Sequence, residues 1–246
     1  MIETLSQLLE QASYTVVFTG AGMSTESGLP DFRSNKGLWK KFNPDELAHV
    51  NAIYEQPKAF TEFYRKRLQD VTSFKPHEGH EILADWEKRM FIKGIITQNV
   101  DGFHHDAGSK NVLELHGALR SLYCDGCQEK HSVSAYIEGI FHCHHCGGII
   151  RPGVALFGEN LPEKTFQRAE VETLKADLFI VLGSSLTVSP ANMFPMLAYE
   201  NGAQLIIVNR EPTPLDRYAT MTIQNQTIKE VLTKVEANLS PGIDET

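Results

Sequence analysis

Four short apolar runs set the terms for this chain: Tyr14–Thr19, Phe91–Thr97, Leu178–Leu182 and Gln204–Val208. Each is rich in Val, Ile or Phe and ends in Gly or a small polar residue, the signature of strands buried on both faces. Helical patterns lie between them, for example His80–Lys88, Lys164–Lys175 and Ala191–Glu200. Strands alternating with helices predict an α/β fold: a Rossmann-like, doubly wound parallel sheet. With 246 residues, 41% of them apolar, the chain is long enough for one large domain with a smaller inserted module.

Two stretches break the alternation. Leu38–Phe74 is helical in pattern and rich in aromatics, with no strand. Tyr123–Ile150 holds all four cysteines and a scatter of glycines. The expected division is therefore a discontinuous Rossmann-like domain over 1–37, 75–119 and 153–246. A helical insertion (38–74) and a zinc-binding insertion (120–152) together form a small domain. A cleft between two such parts is a usual ligand site.

The cysteines form two pairs, Cys124-x-x-Cys127 and Cys143-x-x-Cys146, with fifteen residues between the pairs. That spacing predicts a tetrathiolate site for one Zn²⁺. Four thiolates leave no open position for water, so the role is structural. His142, His144 and His145 lie close by and are expected to be bystanders. Paired metal-type cysteines fit an intracellular chain better than a disulfide framework. With no targeting segment and no apolar stretch near the roughly 18 residues of a membrane span, a cytoplasmic location follows, with no membrane partner. The net charge of −8 gives no bulk attraction to nucleic acid and favours basic partners such as lysine-rich protein segments.

The first strand runs into Gly20-Ala21-Gly22. Glycines there permit a tight turn and a close backbone approach to a pyrophosphate, with backbone amides and a following helix N-terminus as anion donors. The third glycine of the dinucleotide fingerprint is replaced by Thr25, and no acidic residue stands about 20 residues further on, where Trp39 lies. On these residues alone, a nucleotide loop and an ordinary glycine turn are equally good readings.

Longer motifs decide between them. Gly20–Arg33, Thr97–His104, Glu114-Leu115-His116-Gly117, the paired Cys-x-x-Cys, Phe157-Gly158-Glu159, Gly183-Ser184-Ser185 and Val208-Asn209 together resemble the sirtuin family, in its order and over nearly the whole chain. The resemblance implies an NAD-dependent protein lysine deacylase, which transfers the acyl group of lysine to ADP-ribose and releases nicotinamide. His116 is then the catalytic base, for which an unperturbed pKa of about 6.5 is suited. The alternating run Val112–His116 puts Glu114 and His116 on one face and Leu113 and Leu115 on the other. By the same resemblance Asn99, catalytic, and Gln98 attend the ribose and its waters. Val100 and Asp101 hold the nicotinamide amide, although Asp101 at a strand end is equally suited to cap the next helix. Phe32 shields ribose C1′ from water, and Arg33 contacts phosphate or ribose. Ala21 and Thr25 pack near the phosphates, which Gly183, Ser184 and Ser185 also approach. Asn209 and Glu211 take the adenosine ribose, and Thr227 or Ile228 the adenine.

The acyl-lysine protein is expected to dock as an extra strand between Ala155–Glu159, including Phe157 and Gly158, and Leu186–Val188. Phe157 and Ala155 line the lysine tunnel; many relatives carry valine at the second position, so alanine leaves room. Tyr64-x-x-Arg67 resembles the motif by which the desuccinylase branch holds an acidic acyl chain. Asp31 departs from that branch, which commonly has threonine there. An alternative is a helix whose Arg65, Lys66 and Arg67 make a solvated basic face. Two other functions compete: mono-ADP-ribosyl transfer, and a non-enzymatic NAD-sensing zinc ribbon.

Overall fold

The computed structural model describes residues 1–34, 37–40 and 43–239. The expected segments 1–37, 38–74 and 153–246 therefore each include positions outside the described residues. Six strands form one parallel sheet: β1 (Thr15–Thr19), β2 (Gly94–Thr97), β3 (Val112–Glu114), β7 (Leu178–Leu182), β8 (Gln204–Val208) and β9 (Met221–Ile223). A second, antiparallel sheet holds β4 (Gly117–Cys124), β5 (Lys130–His131) and β6 (Ile150–Val154). The large sheet has the order β3-β2-β1-β7-β8-β9, so chain direction across the sheet reverses between β1 and β7. Ligands of such sheets bind outside the carboxyl ends of the strands at that point.

Alternation within the strands divides the core into two layers. Val17, Ile95, Ile180 and Ile206 pack against the helices Ile2–Gln11, Glu78–Lys88 and Ile228–Asn238. Val16, Phe18, Ile96, Phe179, Val181 and Ile207 face the helices Glu163–Lys175 and Met193–Glu200. The seventh and eighth strands run as expected. The second is shorter than expected, because Phe91 and Ile92 belong to the turn after the preceding helix, with Phe91 N bonded to Trp86 O. The ninth, only three residues long, gave no run that stands out in the sequence.

A third cluster lies apart from the large sheet. Phe60, Tyr64, Leu68 and Val71 recur at helical spacing on Pro57–Ser73 and bury against Leu122, Cys124, Tyr136 and Ile150. The helical and cysteine-bearing insertions thus share one core. The outer face of that helix carries local ion pairs, Arg65–Glu62 at 2.7 Å and Lys66–Asp70 at 2.8 Å. Arg67 leaves this face: its guanidinium lies 4.9 Å from the centroid of the Phe32 ring. The reading of all three cations as one solvated basic face is therefore corrected. At the junction of the two sheets Gly117 has φ +73°, and a Cβ there would sit 2.0 Å from Gly153 O, so the start of β4 can approach β6 this closely only with glycine at 117.

Candidate active site and metal centre

The glycine loop after β1 is held against the loop after β7. Gly20 N donates to Leu182 O at 3.0 Å and Gly22 N to Gly183 O at 2.8 Å. A Cβ on Gly22 would lie 2.7 Å from Gly183 Cα, so the two loops touch backbone to backbone. The amides of these two glycines are thus spent on the neighbouring loop. Nor does an α-helix follow directly. Ala21–Ser27 is a 3-10 turn, and Thr25 Oγ1 closes it on Gly22 O at 2.9 Å. Ala21, the first residue of the turn, carries an amide without an intrahelical partner.

Around this switch point lies one cavity of about 650 Å³. Gly20, Ala21, Gly22, Thr25, Phe32 and Arg33 line it from the first loop, and Gln98, Asn99 and Val100 from the end of β2. Gly183, Ser184, Ser185 and Val188 follow β7, Asn209 and Glu211 follow β8, and Ile228 begins the last helix. His116, Ala155, Phe157, Gly158, Glu159, Tyr64 and Arg67 complete the wall. Residues from distant parts of the sequence thus meet in one space.

Two expected members stand elsewhere. Asp101 is buried behind the wall; its carboxylate accepts from Phe103 N at 2.9 Å and from Ser24 Oγ at 2.8 Å. Asp101 thus holds the first amide of the following helix from one place ahead of its N-cap, Gly102. Burial pushes its pKa up, while these two bonds pull it down. Thr227 caps the last helix, accepting from Glu230 N at 3.2 Å in a capping box; Gln226 and Ile228 line the cavity beside it. Sequence reasoning singled out neither Ser24, which links Asn99 Nδ2 (3.2 Å) to Asp101, nor Arg210, Gln226 and Leu161 of the wall. Ser24 lies inside a quoted motif, so the motif was its signal; the other three carry none.

His116 sits in the connection from β3 to β4. Its Nδ1 lies 3.1 Å from Gln98 O. A carbonyl only accepts, so Nδ1 carries the proton and Nε2 keeps its lone pair. Burial lowers the pKa, the Gln98 contact raises it and the positive Arg33 lowers it; the net shift is downward. His116 is thus a neutral imidazole at neutral pH, ready to accept a proton. Leu113 and Leu115 are buried beneath it, as the alternation required. Gln98 is held in turn by Nε2 donating to Ser184 Oγ at 2.7 Å.

In the small sheet Cys124, Cys127, Cys143 and Cys146 bring their sulfurs within 4.8 Å of one another. Cys124–Cys146 is 3.4 Å and Cys127–Cys143 is 3.7 Å. Four sulfurs about 2.3 Å from a tetrahedral centre would stand about 3.8 Å apart, so the cluster fits a structural zinc site. Gly148 N donates to Cys146 Sγ at 3.4 Å. His142 contacts Gly147 O at 3.3 Å and His144 faces Glu129 at 3.5 Å; neither belongs to the four-sulfur cluster.

A glycine loop at a switch point, a neutral histidine and a four-cysteine cluster that fits a structural zinc define the class: an α/β protein with a nucleotide-type cleft. The sequence profile described as Sir2 family matches residues 20–190, and the chain belongs to that family. It is 54% identical over 228 residues to an NAD-dependent protein deacetylase of Oceanobacillus iheyensis, covering 92% of this chain and 96% of that one. It is 51% identical to NAD-dependent protein deacetylase 1 of Geobacillus kaustophilus, covering 96% and 98%. Among solved structures, a Sir2 bound to a p53 peptide and NAD+ superposes with a TM-score of 0.89 at 36% identity, over 96% of this chain and 98% of that one. A Sir2 with a deacetylated p53 peptide and 3′-O-acetyl ADP-ribose gives 0.92 at 36% identity, over 97% and 99%.

Proposed function

We propose that this chain is an NAD-dependent protein lysine deacetylase, acting in the cytoplasm on lysine-acylated proteins. The observation that carries the reading is His116 in its base tautomer, on the wall of the cavity that also holds the glycine loop and the apolar Phe157 side. NAD, when bound, supplies the ADP-ribose acceptor and nicotinamide as leaving group. His116 Nε2 takes the proton of a ribose hydroxyl as that oxygen becomes a nucleophile. Gln98 and Asn99 orient the ribose and Val100 holds the nicotinamide amide, while Asp101 acts from behind the wall through Ser24, whose hydroxyl accepts Asn99 Nδ2. Phe32 covers the reacting carbon, because water would compete with the acyl oxygen. Arg33, Ala21 and Thr25 with Gly183, Ser184 and Ser185 attend the phosphates, and Asn209, Glu211 and Ile228 the adenosine. The large sheet forms the NAD-binding domain, and the two insertions form the small domain. Zinc, held by the four cysteines, supplies folding energy rather than chemistry.

The relatives' names favour acyl removal over mono-ADP-ribosyl transfer or passive NAD sensing. The test is a panel of acyl-lysine peptides with and without NAD. Nicotinamide release should require acyl peptide; release without it, with ADP-ribose mass appearing on acceptor protein, would favour ribosyl transfer.

A second acyl class has its own support. Arg67 lines the cavity, and among the described residues its guanidinium stacks on Phe32 without an ion pair or hydrogen bond. Burial lowers its pKa, against the pull of Tyr64, Asp101 and Asp70. Tyr64 lies one turn away, its pKa pushed up to about 12 by burial, so its hydroxyl stays a donor. A cation and a hydroxyl on one cavity wall are suited to the terminal carboxylate of a succinyl group.

A further inference from the structure

The sequence places Glu159 among the peptide-contacting residues, yet its carboxylate is engaged within the protein. Arg151, on β6, is 2% exposed. Its Nη1 donates to Glu159 Oε1 at 2.5 Å and its Nη2 to Glu159 Oε2 at 2.8 Å, a bidentate pair. The same Nη2 donates to Val154 O at 3.0 Å. Glu159 Oε2 also accepts Leu156 N at 2.9 Å, and Glu159 N returns to Leu156 O at 3.0 Å. The segment Leu156–Glu159 is thus a turn closed at both ends and clamped from below by one guanidinium.

The clamp reaches further. Nη1 of Arg151 lies 3.6 Å from Asp125 Oδ1, within the first Cys-x-x-Cys turn, and Tyr54 Oη donates to the same Asp125 carboxylate. The Tyr123 ring lies 5.5 Å from the guanidinium. On its other edge the turn is tied to the helical insertion, with Phe157 N donating to Ala48 O (2.8 Å) and Val50 N to Phe157 O (3.0 Å). Only Phe157 and Gly158 are left exposed at the tip, Phe157 by 43%.

We propose that Arg151 is a positioning residue for substrate: with Glu159 it fixes the turn that presents Phe157 and Gly158 to the acyl-lysine peptide, and it anchors that turn on the metal-binding module. This rests on the deacetylase reading above. The physical reason is preorganisation. A strand-like peptide binds through backbone bonds, so affinity depends on the acceptor edge being held before binding. A buried guanidinium is stable only while paired, which makes the clamped state of the turn the dominant one. The turn adjoins the base through its backbone, Ala155 N donating to His116 O at 2.9 Å, but the clamp bonds of Arg151 and Glu159 involve none of the side chains of His116, Gln98 and Ser184.

The test compares Arg151→Met, of similar length without charge, with Glu159→Gln, which keeps shape and is the gentler change if Arg151→Met folds poorly. Zinc content, affinity for a fluorescein-labelled acetyl-lysine peptide, NAD affinity and turnover are measured on each. The expected result is a loss of about tenfold in peptide affinity for each variant, equal to about 1.4 kcal/mol. Zinc stays at one per chain and NAD affinity is unchanged. For Arg151→Met, kcat at saturating peptide is retained while KM for peptide rises. The double variant should lose no more than the worse single one, because both changes break one clamp. Unchanged peptide affinity in zinc-loaded Glu159→Gln, additive losses in the double variant, or a parallel loss of NAD affinity would each overturn the assignment. A wild-type protein that binds no acyl peptide overturns the deacetylase reading and this inference with it, and is told apart from the other outcomes because no variant is involved.

Discussion

Arg67→Met is the perturbation with the most discriminating outcome. It keeps side-chain length and apolar packing on Phe32 while removing the charge. In the native cavity the guanidinium has room for one further anionic group, and Tyr64 adds a hydroxyl from the same helix face. A charge-assisted hydrogen bond contributes about 1.5–3 kcal/mol net. At about 1.4 kcal/mol per factor of ten, losing the carboxylate contact should lower kcat/KM for a succinyl-lysine peptide by about 10- to 150-fold. An acetyl group has no carboxylate, so the acetyl-lysine peptide should change by only about twofold, from packing alone. The assay is competition of the two peptides at equal, sub-KM concentration, read by mass spectrometry, for wild type and variant. Equal losses on both substrates would refute a carboxylate contact. No succinyl turnover by wild type would show that the free cation serves something other than the acyl group.

Other outcomes follow from the same geometry. His116→Ala should abolish deacetylation while NAD and zinc binding persist, since the imidazole is needed for proton transfer only; turnover near the wild-type rate would remove it from the mechanism. Because the His116 pKa is lowered, the neutral form persists below its ordinary value, and the acid limb of kcat/KM should fall below pH ~6.5; a limb above that value would contradict the burial argument. Cys124→Ser, or chelation, should release one metal per chain and unfold the small sheet; metal-free protein with its full folding transition would refute the structural role. His80 and His104 are buried, with pKa values lowered mainly by burial to about 2 and about 3. Their folded pKa values lie below the unfolded one, so the unfolded chain binds more protons and stability declines as pH falls below about 6.5. For two such groups the loss between pH 6.5 and 5.5 is about 2 kcal/mol, and His80→Leu should remove about half of that slope in acid melts; an unchanged slope would count against it.

Much of the sheet was legible because strands buried on both faces leave unbroken apolar runs, as in Leu178–Leu182 and Gln204–Val208. The short β9 pairs three residues with β8 and is held by its neighbours rather than by its own sequence. Nearly all the expected site residues reached one cavity because motif residues follow strand ends, and the strand order collects those ends at one edge. What the sequence could not carry was which polar groups would be consumed internally. The amides of Gly20 and Gly22 bond the neighbouring loop, Asp101 holds Ser24 and a helix start, and Glu159 is taken by Arg151. Each of those partners is distant in sequence or hidden by the local pattern. The three cations of residues 65–67 looked alike in sequence and diverged because helical rotation sends only Arg67 inward.

In the proposed reaction the acyl group passes from lysine to ADP-ribose. Mass spectrometry of the first turnovers, with an acetyl-lysine peptide and NAD, tests this most directly. Deacetylated peptide, nicotinamide and acetyl-ADP-ribose should appear in equal amounts, and none of the three with His116→Ala. Free acetate formed without NAD consumption, or nicotinamide formed with ADP-ribose left on protein, would contradict it.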